Sequence, residues 1–118
     1  MKVYPGTLNG FIRPPSSKSV THRSLILAAC GEVGSTIKNR LVSGDTDATK
    51  KALEGINAKF IEKEGPFQPL ITEKPISKIE TDELKINCFN SGTTLRLLSG
   101  ISGLLPRETT LYGDSSLN

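Results

Sequence analysis

The hydrophobic positions change their spacing at proline and glycine residues, and each change marks the border of a predicted element. Thr7–Ile12 is predicted to be a short strand that ends before Pro14-Pro15, because proline disfavours helix in the residue that precedes it. Lys18–Cys30 is predicted to be a helix, with Ser16-Ser17 as candidate N-cap and Gly31 as its stop. The apolar face of this helix becomes denser towards its C-terminal end.

A strand and a second helix are predicted next. Thr36-Ile37 favour a strand within Val33–Leu41, because β-branched residues favour extended backbone and turn residues surround them. The second helix is predicted to begin at Asp45 or Thr46, either of which can cap it, and to run through Asn57. Its apolar residues recur three or four positions apart, at Ala48, Ala52, Leu53 and Ile56.

The rest of the chain predicts four strands and a third helix. The strands are Ala58–Glu62, Pro69–Thr72, Leu84–Cys88 and Glu108–Tyr112. The first two are predicted to form a hairpin around Gly65-Pro66, since glycine followed by proline favours a turn. The helix is predicted to open at Asn90 and to run towards Leu105.

The sequence also matches itself at the fixed offset that separates Thr21 from Thr94. The matched pairs are Thr21 and Thr94, Arg23 and Arg96, Leu25 and Leu98, and Thr36 and Thr109, with Gly44-Asp45 and Gly113-Asp114 matching after a short gap. These pairs fall at equivalent points of the predicted elements. We therefore predict an α/β (α+β) fold of βαβαββ repeat units, with one complete unit at residues 16–83 and the start of a truncated second unit at 84–118.

Composition narrows the classes of function. Fifteen Lys+Arg against 12 Asp+Glu give a formal charge of +3, and aromatic residues make up only 5%, which argues against nucleic-acid binding. The chain contains no apolar run of the roughly 18 residues that span a bilayer, and its N-terminus does not resemble a signal peptide, so we expect no membrane contact and a cytoplasmic location. Cys30 and Cys88 are expected to be reduced, buried thiols rather than metal ligands.

The entrance of the first helix carries the first candidate chemistry. Its free backbone N–H groups and the positive end of its dipole favour an anion. Ser19 and Arg23 are four residues apart and share a face, where a hydroxyl and a guanidinium suit a carboxylate. Lys18 supplies a mobile charge for a different anionic group. The alternative is a serine-capped amphipathic helix with solvated basic side chains.

The entrance of the third helix is a second candidate. Gly92 lies in a run of small polar residues and allows a ligand to approach the backbone, and Arg96 follows four residues later. Two such entrances would serve one substrate with several negative groups or two anionic substrates side by side. The alternative is a capped helix whose glycine relieves crowding. Asp45 and Asp114 are interpreted as helix caps, and His22, which lacks a metal-binding partner, as a surface or interface residue.

Two long motifs resemble the 5-enolpyruvylshikimate-3-phosphate synthase family. The motifs are Pro15–Ala29 and Asn90–Leu98, and the shorter Ser43–Thr46 and Gly113–Leu117 extend the resemblance over essentially the whole chain. The sister family that acts on UDP-N-acetylglucosamine, which we keep as an alternative, has Lys-Asn in place of Lys18-Ser19. Two departures from the motif are Phe89, where glycine is usual, and Leu97, where many relatives have proline.

The resemblance implies transfer of the enolpyruvyl group of phosphoenolpyruvate to the 5-hydroxyl of shikimate 3-phosphate, with release of phosphate, in the shikimate pathway. It implies no cofactor and no metal. Lys18 would be the catalytic residue and contact both substrates, while Ser19 and Arg23 would hold shikimate 3-phosphate. Gly92 would abut phosphoenolpyruvate. The residues that would shape the pocket without touching substrate are Asn90, Thr93 and Arg96.

The resemblance also implies that the chain is an N-terminal fragment. The family's acid/base carboxylates lie beyond Asn118, so we expect no catalysis and weak binding of shikimate 3-phosphate at most. Residues 1–15 would be a strand and crossover belonging to the other domain. The full-length protein is expected to be a monomer, and the fragment to self-associate through exposed strand edges. A stand-alone anion-binding or interaction module and a nucleic-acid-binding unit are the alternatives from other classes.

Overall fold

Three helices and five strands alternate in a computed structural model that describes residues 1–65, 68–76 and 82–117. In chain order they are α1 (Lys18–Cys30), β1 (Thr36–Ile37), α2 (Gly44–Glu54), β2 (Lys59–Glu62), β3 (Leu70–Lys74), β4 (Glu83–Asn87), α3 (Gly92–Ser102) and β5 (Glu108–Tyr112). The predicted α/β (α+β) class is confirmed. Pro66 of the predicted hairpin turn and the chain around the predicted border at residue 83, from 77 to 81, lie outside the described residues.

The strands form two separate sheets. In the first, β3 lies between β1 and β2 and pairs antiparallel with both, so the predicted hairpin is present. In the second, β4 and β5 pair in parallel, with Leu84 opposite Thr109 and Ile86 opposite Leu111. Parallel strands need a crossover connection, and α3 supplies it. Of these pairings, the sequence pattern predicted only the hairpin of β2 and β3.

The helices bury one face each, and α2 packs between α1 and α3. The four apolar residues predicted for α2 are all buried, and so are Leu25 and Leu98 at equivalent positions of α1 and α3. Burying a leucine side chain stabilises the fold by about 1.5–3 kcal/mol. Cys88 is buried as expected, whereas Cys30 is exposed: Ala28 and Ala29 of the same helical turn are in the core, and Cys30 lies on the solvent side of α1.

Helix α2 begins and ends earlier than predicted. Its N-cap is Ser43, not Asp45 or Thr46: the Ser43 hydroxyl accepts from the backbone N–H of Thr46, and the Thr46 hydroxyl accepts from that of Ser43. This reciprocal capping box satisfies two N–H groups at once. The helix ends at Glu54 rather than Asn57, because Gly55 caps it and Asn57 adopts a φ of 76°, outside the helical region.

The strand predicted for Thr7–Ile12 is not formed. Residues 1–17 contain neither helix nor strand, and their apolar side chains are exposed, including Leu8 at 99% and Phe11 at 110%. A strand is stable only with a hydrogen-bonded neighbour. Among the described residues, β1 pairs only with β3, so its other edge has no strand beside it. In the second unit, by contrast, the strand that follows the helix, β5, is paired with the strand that precedes it, β4.

Candidate anion-binding site

The entrance of α1 combines backbone N–H groups with side-chain positive charge. Ser17 is the N-cap, and its hydroxyl accepts from the backbone N–H of Val20 at 3.3 Å. Lys18 and Ser19 follow directly and are exposed, and the first turn carries no acidic residue. The positive end of the helix dipole is therefore offset by no carboxylate of its own first turn.

Lys18 is held by a carboxylate from the next helix. Its Nζ lies 2.7 Å from Oδ2 of Asp45, and the two side chains are 51% and 32% exposed. The hydrogen bond from Lys18 is the main cause that lowers the pKa of Asp45, and the positive charge of Lys18 lowers it further. Asp45 is therefore the partner of Lys18 rather than the predicted helix cap. Such a partly exposed pair contributes about 0–1 kcal/mol, so an incoming anion can displace the carboxylate at small cost.

Arg23 lies one turn after Ser19, as its spacing requires. Its Nε donates to the backbone carbonyl oxygen of Ser19 at 3.2 Å, and the side chain is otherwise exposed. Neither Arg23 nor Arg96 forms an ion pair with any residue that the structure describes. Each of these guanidinium groups is therefore accessible to a carboxylate or phosphate.

The entrance of α3 is built from small residues. Ser91 is the N-cap and is fully buried, and its hydroxyl accepts from the backbone N–H of Thr94 at 3.2 Å. Gly92 is the first helical residue, and a Cβ there would meet only a Leu117 methyl group, at 3.7 Å. That separation is ordinary van der Waals contact, so packing against the described residues does not require glycine. Thr93 is exposed beside it.

A surface depression of about 400 Å³ lies beside this entrance. It is lined by Asn87, Phe89, Asn90, Gly113 and Asp114. Its shape depends on Gly113, because a Cβ there would collide with the Phe89 carbonyl oxygen, to which the Asp114 N–H also donates at 2.8 Å. Residues 115–117 form a turn after Asp114, and the helix cap predicted for Asp114 stays a prediction. Its carboxylate accepts from the backbone N–H and hydroxyl of Ser116, which lower its pKa.

Phe89 occupies the turn before α3 in a conformation that favours glycine. Its φ is 54°, in the left-handed region, where a side chain costs about 1–2 kcal/mol. The Asn87 carboxamide oxygen accepts from the Phe89 N–H at 2.8 Å, and the Lys51 Nζ lies 5.7 Å from the ring centroid. These contacts offset part of that strain.

A line of buried polar groups joins the three helices. His22 Nδ1 lies 2.6 Å from Thr49 Oγ1, Thr49 Oγ1 lies 2.7 Å from Thr94 Oγ1, and Thr94 Oγ1 donates to Ser91 Oγ at 2.8 Å. All four residues are fully buried, so the surface location predicted for His22 is wrong. Desolvation lowers the pKa of His22, which favours the neutral imidazole. Thr49 escaped the sequence analysis, and its only signal was a polar residue beside the apolar Ala48 and Ala52.

Arg40 is a second residue that sequence reasoning missed. Its side chain is buried, and its guanidinium lies 3.2 Å from Glu62 and 3.9 Å from Asp47. It therefore connects β2 with the first turn of α2 and stabilises the unit behind the helix entrances.

Neither a metal site nor a membrane span is found in the part of the chain that the structure describes. No group of three or more His, Cys, Asp or Glu could hold a metal ion there. No described helix combines the length and apolar character needed to cross a bilayer.

Comparison with known proteins identifies similar chains. The family model described as EPSP synthase (3-phosphoshikimate 1-carboxyvinyltransferase) matches residues 3–118. Among curated proteins, the 3-phosphoshikimate 1-carboxyvinyltransferase of Thermotoga sp. (strain RQ2) is 41% identical over 121 residues, covering 100% of this chain and 27% of the relative. The protein of the same name from Nitrosopumilus maritimus (strain SCM1) is 43% identical over 116 residues, covering 98% and 26%.

A solved structure is similar as well. The EPSP synthase from Acinetobacter baumannii superposes with a TM-score of 0.66 and 25% sequence identity, covering 87% of this chain and 23% of that chain. The present chain thus spans about a quarter of the length of the curated relatives and of this solved structure.

Proposed function

We infer the function from one premise: the chain belongs to the EPSP synthase family. We propose that it contributes to transfer of the enolpyruvyl group from phosphoenolpyruvate to the 5-hydroxyl of shikimate 3-phosphate, with release of phosphate, in the shikimate pathway of the cytoplasm. The observation that carries the proposal is the pair of helix entrances, because α1 and α3 occupy equivalent places in the repeat and each offers backbone N–H groups to an anion.

The α1 entrance is proposed to bind shikimate 3-phosphate. Ser19 and Arg23 supply a hydroxyl and a guanidinium on one exposed helical face, which suits the carboxylate of that substrate. Lys18 lies at the start of the same helix and contacts both substrates in this proposal. Its ammonium exchanges the Asp45 carboxylate for the substrate anion, which keeps its charge compensated before and after binding.

The α3 entrance is proposed to bind phosphoenolpyruvate. Gly92 abuts that substrate, and the room for a Cβ at this position supports a role for glycine in ligand approach rather than in packing. The exposed residues around it are proposed to shape the pocket, and they are Asn90, Thr93 and Arg96.

The reaction proposed for the whole protein is an addition followed by an elimination. The methylene carbon of phosphoenolpyruvate takes a proton, and the 5-hydroxyl oxygen bonds to the adjacent carbon as its own proton passes to a base of the whole protein. Phosphate then leaves as the methylene carbon loses a proton, which restores the double bond. Among residues 1–117, Lys18 is the group assigned to this chemistry. A fixed positive charge beside the phosphoenolpyruvate anion stabilises the charge that develops on the leaving phosphate.

Residues 16–83 and 84–118 are proposed to be successive repeat units, and residues 1–15 to belong to a different domain of a longer protein. The exposure of the apolar side chains in that first segment supports this assignment, because they contact no core of their own. The 118 residues then form one wall of a two-domain cleft. We expect them to bind substrate weakly, to release no phosphate on their own and to self-associate, whereas the full-length protein is expected to be a monomer.

Chemical-shift titration of the 15N-labelled chain tests the assignment. Shikimate 3-phosphate is expected to move the amide signals of Ser19 and Arg23, and phosphoenolpyruvate those of Gly92 and Thr93, both at millimolar concentrations. Lys18→Met is expected to weaken both interactions by about tenfold, since a charge-assisted hydrogen bond contributes about 1.5–3 kcal/mol.

Lys63→Met removes a lysine that is exposed and far along the chain from both entrances, and it serves as the matched control. Equal weakening by the two variants would indicate attraction by net charge and contradict the proposed site. Phosphate release by the 118 residues alone would contradict the view that they form one wall. Steeply salt-dependent binding of RNA instead of the two substrates would favour a nucleic-acid-binding unit.

A further inference from the structure

The buried polar line between the helices has a direction that follows from counting hydrogens. Ser91 Oγ accepts from both the backbone N–H and the hydroxyl of Thr94, so its own hydrogen is directed elsewhere. The Thr94 hydroxyl spends its single hydrogen on Ser91, so it must accept from Thr49 in their shared 2.7 Å contact. The Thr49 hydroxyl in turn donates to Thr94 at 2.7 Å, since its other acceptor, the Asp45 backbone carbonyl oxygen, lies at the outer limit of a hydrogen bond, 3.5 Å away.

The same count fixes the tautomer of His22. Thr49 can only accept in its 2.6 Å contact with His22 Nδ1, so Nδ1 carries the hydrogen. Nε2 of the ring is then a bare lone pair, and it is buried without a hydrogen-bond partner among the described residues. An unused acceptor is the less costly arrangement, because a buried N–H without an acceptor, or an imidazolium, would lose its solvation uncompensated.

The middle of the line lies beside the ion pair of the α1 entrance. The Thr49 hydroxyl is 3.5 Å from the backbone carbonyl oxygen of Asp45, whose carboxylate holds Lys18 at 2.7 Å. Lys18 and His22 are four residues apart on α1 and therefore lie on one face. The line thus joins α1 at His22, α2 at Thr49 and α3 at Ser91, the N-cap of the α3 entrance.

We propose that His22 is a positioning residue: neutral and protonated on Nδ1, it orients the Thr49 and Thr94 hydroxyls in one direction and thereby fixes Ser91, the N-cap of the α3 entrance, relative to α1. This arrangement holds the two helix entrances in one fixed relation before substrate arrives. Desolvation is the main cause that lowers the pKa of His22. Of the two charged groups that act on it, Asp45 raises this pKa and Lys18 lowers it, so burial decides and the ring remains neutral. The consequence for substrate binding rests on the proposed function, whereas the tautomer and the hydrogen-bond direction do not.

The first experiment is long-range 15N–1H correlation of the imidazole in the 15N-labelled chain. His22 is the single histidine, so the assignment is unambiguous. The expected result at pH 7 is the neutral ring with its hydrogen on Nδ1. A hydrogen on Nε2, or an imidazolium at this pH, would overturn the proposal, and this readout requires neither a variant nor a substrate.

The second experiment interrupts the line in its middle. Thr49→Val keeps the shape of the side chain and removes the hydroxyl, and it is expected to mix the two His22 tautomers and to shift the amide signals of Ser91 and Thr94 at the α3 entrance. Thr49→Ser restores a hydroxyl and is expected to restore both signals. Thr72→Val is the matched control, because Thr72 is equally buried but its hydroxyl has no partner among the described residues.

Amide signals of Ser91 and Thr94 that are the same in Thr49→Val as in the unmodified chain would show that the line does not act on the α3 entrance, and would overturn the proposal. If the signals of Thr49→Ser are altered in the same way as those of Thr49→Val, the cause is packing rather than the hydroxyl, and this result would equally contradict the proposal. Binding of shikimate 3-phosphate is expected to weaken about 2- to 5-fold in Thr49→Val and to recover in Thr49→Ser, as one hydrogen bond of ordinary strength predicts. If the NMR results hold and the substrate does not bind, the proposed function fails while the positioning role of His22 stands.

Discussion

The entrances of α1 and α3 occupy equivalent places in the repeat, yet they offer an anion different chemistry. The α1 entrance is exposed and carries Lys18, held by Asp45 from the neighbouring helix. The α3 entrance has a fully buried cap serine and begins with Gly92, so it presents backbone rather than side-chain charge. We therefore propose that the α1 entrance binds an anion through side-chain charge and the α3 entrance through close approach to the backbone.

Thr21 and Thr94 occupy equivalent positions of the two predicted units but make different contacts. Thr21 donates to the Ser17 carbonyl oxygen and accepts from the Leu41 N–H, which connects α1 with the loop after β1. Thr94 donates to Ser91 and contacts Thr49, which connects α3 with α2. The same residue type thus stabilises its own unit in one case and joins the two units in the other.

The largest effects on stability are expected from the buried leucines at equivalent positions of α1 and α3. Leu25→Ala and Leu98→Ala each remove a side chain that is almost fully buried, at 2% and 1% exposure. Each is expected to lower the free energy of unfolding by about 2–5 kcal/mol, measured by urea denaturation. A loss below about 1 kcal/mol for either variant would show that its helix packs against no fixed core, and the equivalence of the two units would fail.

Removing the Thr94 or the Thr21 hydroxyl should lower the free energy of unfolding by different amounts. Thr94→Val leaves Thr49 and Ser91 buried without one of their partners, and it is expected to cost about 1–3 kcal/mol in urea denaturation. Thr21→Val is expected to cost less, because the groups it leaves behind are closer to solvent. The exposed Thr93→Val is the control and should remain within about 0.5 kcal/mol of the unmodified chain. Equal losses at positions 21 and 94 would argue against a special role of the line between the units.

The next largest effect is expected on lowering the pH, because His22 and Asp45 then become protonated and the fold loses stability. Burial lowers the pKa of His22 from its usual 6.5, so the unfolded chain binds this proton more readily and stability is expected to fall as the pH drops below about 6.5. The pKa of Asp45 is lowered from its usual 3.8, so the stability it contributes is lost in turn as the pH falls below that value. The urea midpoint measured against pH checks both directions. In His22→Asn the first decline should disappear and the second should remain, and an unchanged first decline would assign it to other groups.

The smallest effect on stability is expected at Gly92. Gly92→Ala places a Cβ where the described packing has room, so the free energy of unfolding should change by no more than about 1 kcal/mol. Binding of phosphoenolpyruvate, followed by the amide signals of the α3 entrance, should nevertheless weaken. Gly100→Ala introduces the same methyl group into open space on the same helix and should leave binding unchanged. Weakening by both variants would place the effect in the helix rather than at its entrance.

Sequence reasoning located α1 and α3 well because their signals are local. The cap at Ser17 and the glycine after α1 act within a few residues, and the structure confirms both. Helix α3 begins at Gly92 with Ser91 as its cap, rather than at Asn90, and ends at Ser102 before the predicted Leu105, because Gly103 caps it. The start of α2 was misplaced because several residues in that stretch are good caps, and only the reciprocal bonds of Ser43 and Thr46 decide between them. The backbone conformation of Phe89 could not be predicted from its local sequence, because residues with a large side chain normally avoid the left-handed region.

The sequence by itself determined the class of the fold, the position of most elements, the repeat, and the residues of the two helix entrances. The tertiary structure alone decided that Thr7–Ile12 lacks a strand partner, that His22 is buried, and that Asp45 pairs with Lys18. The physical reason is distance along the chain. Caps and periodicity depend on neighbours within one or two turns, whereas strand pairing, burial and ion pairs depend on which remote segments the fold brings together.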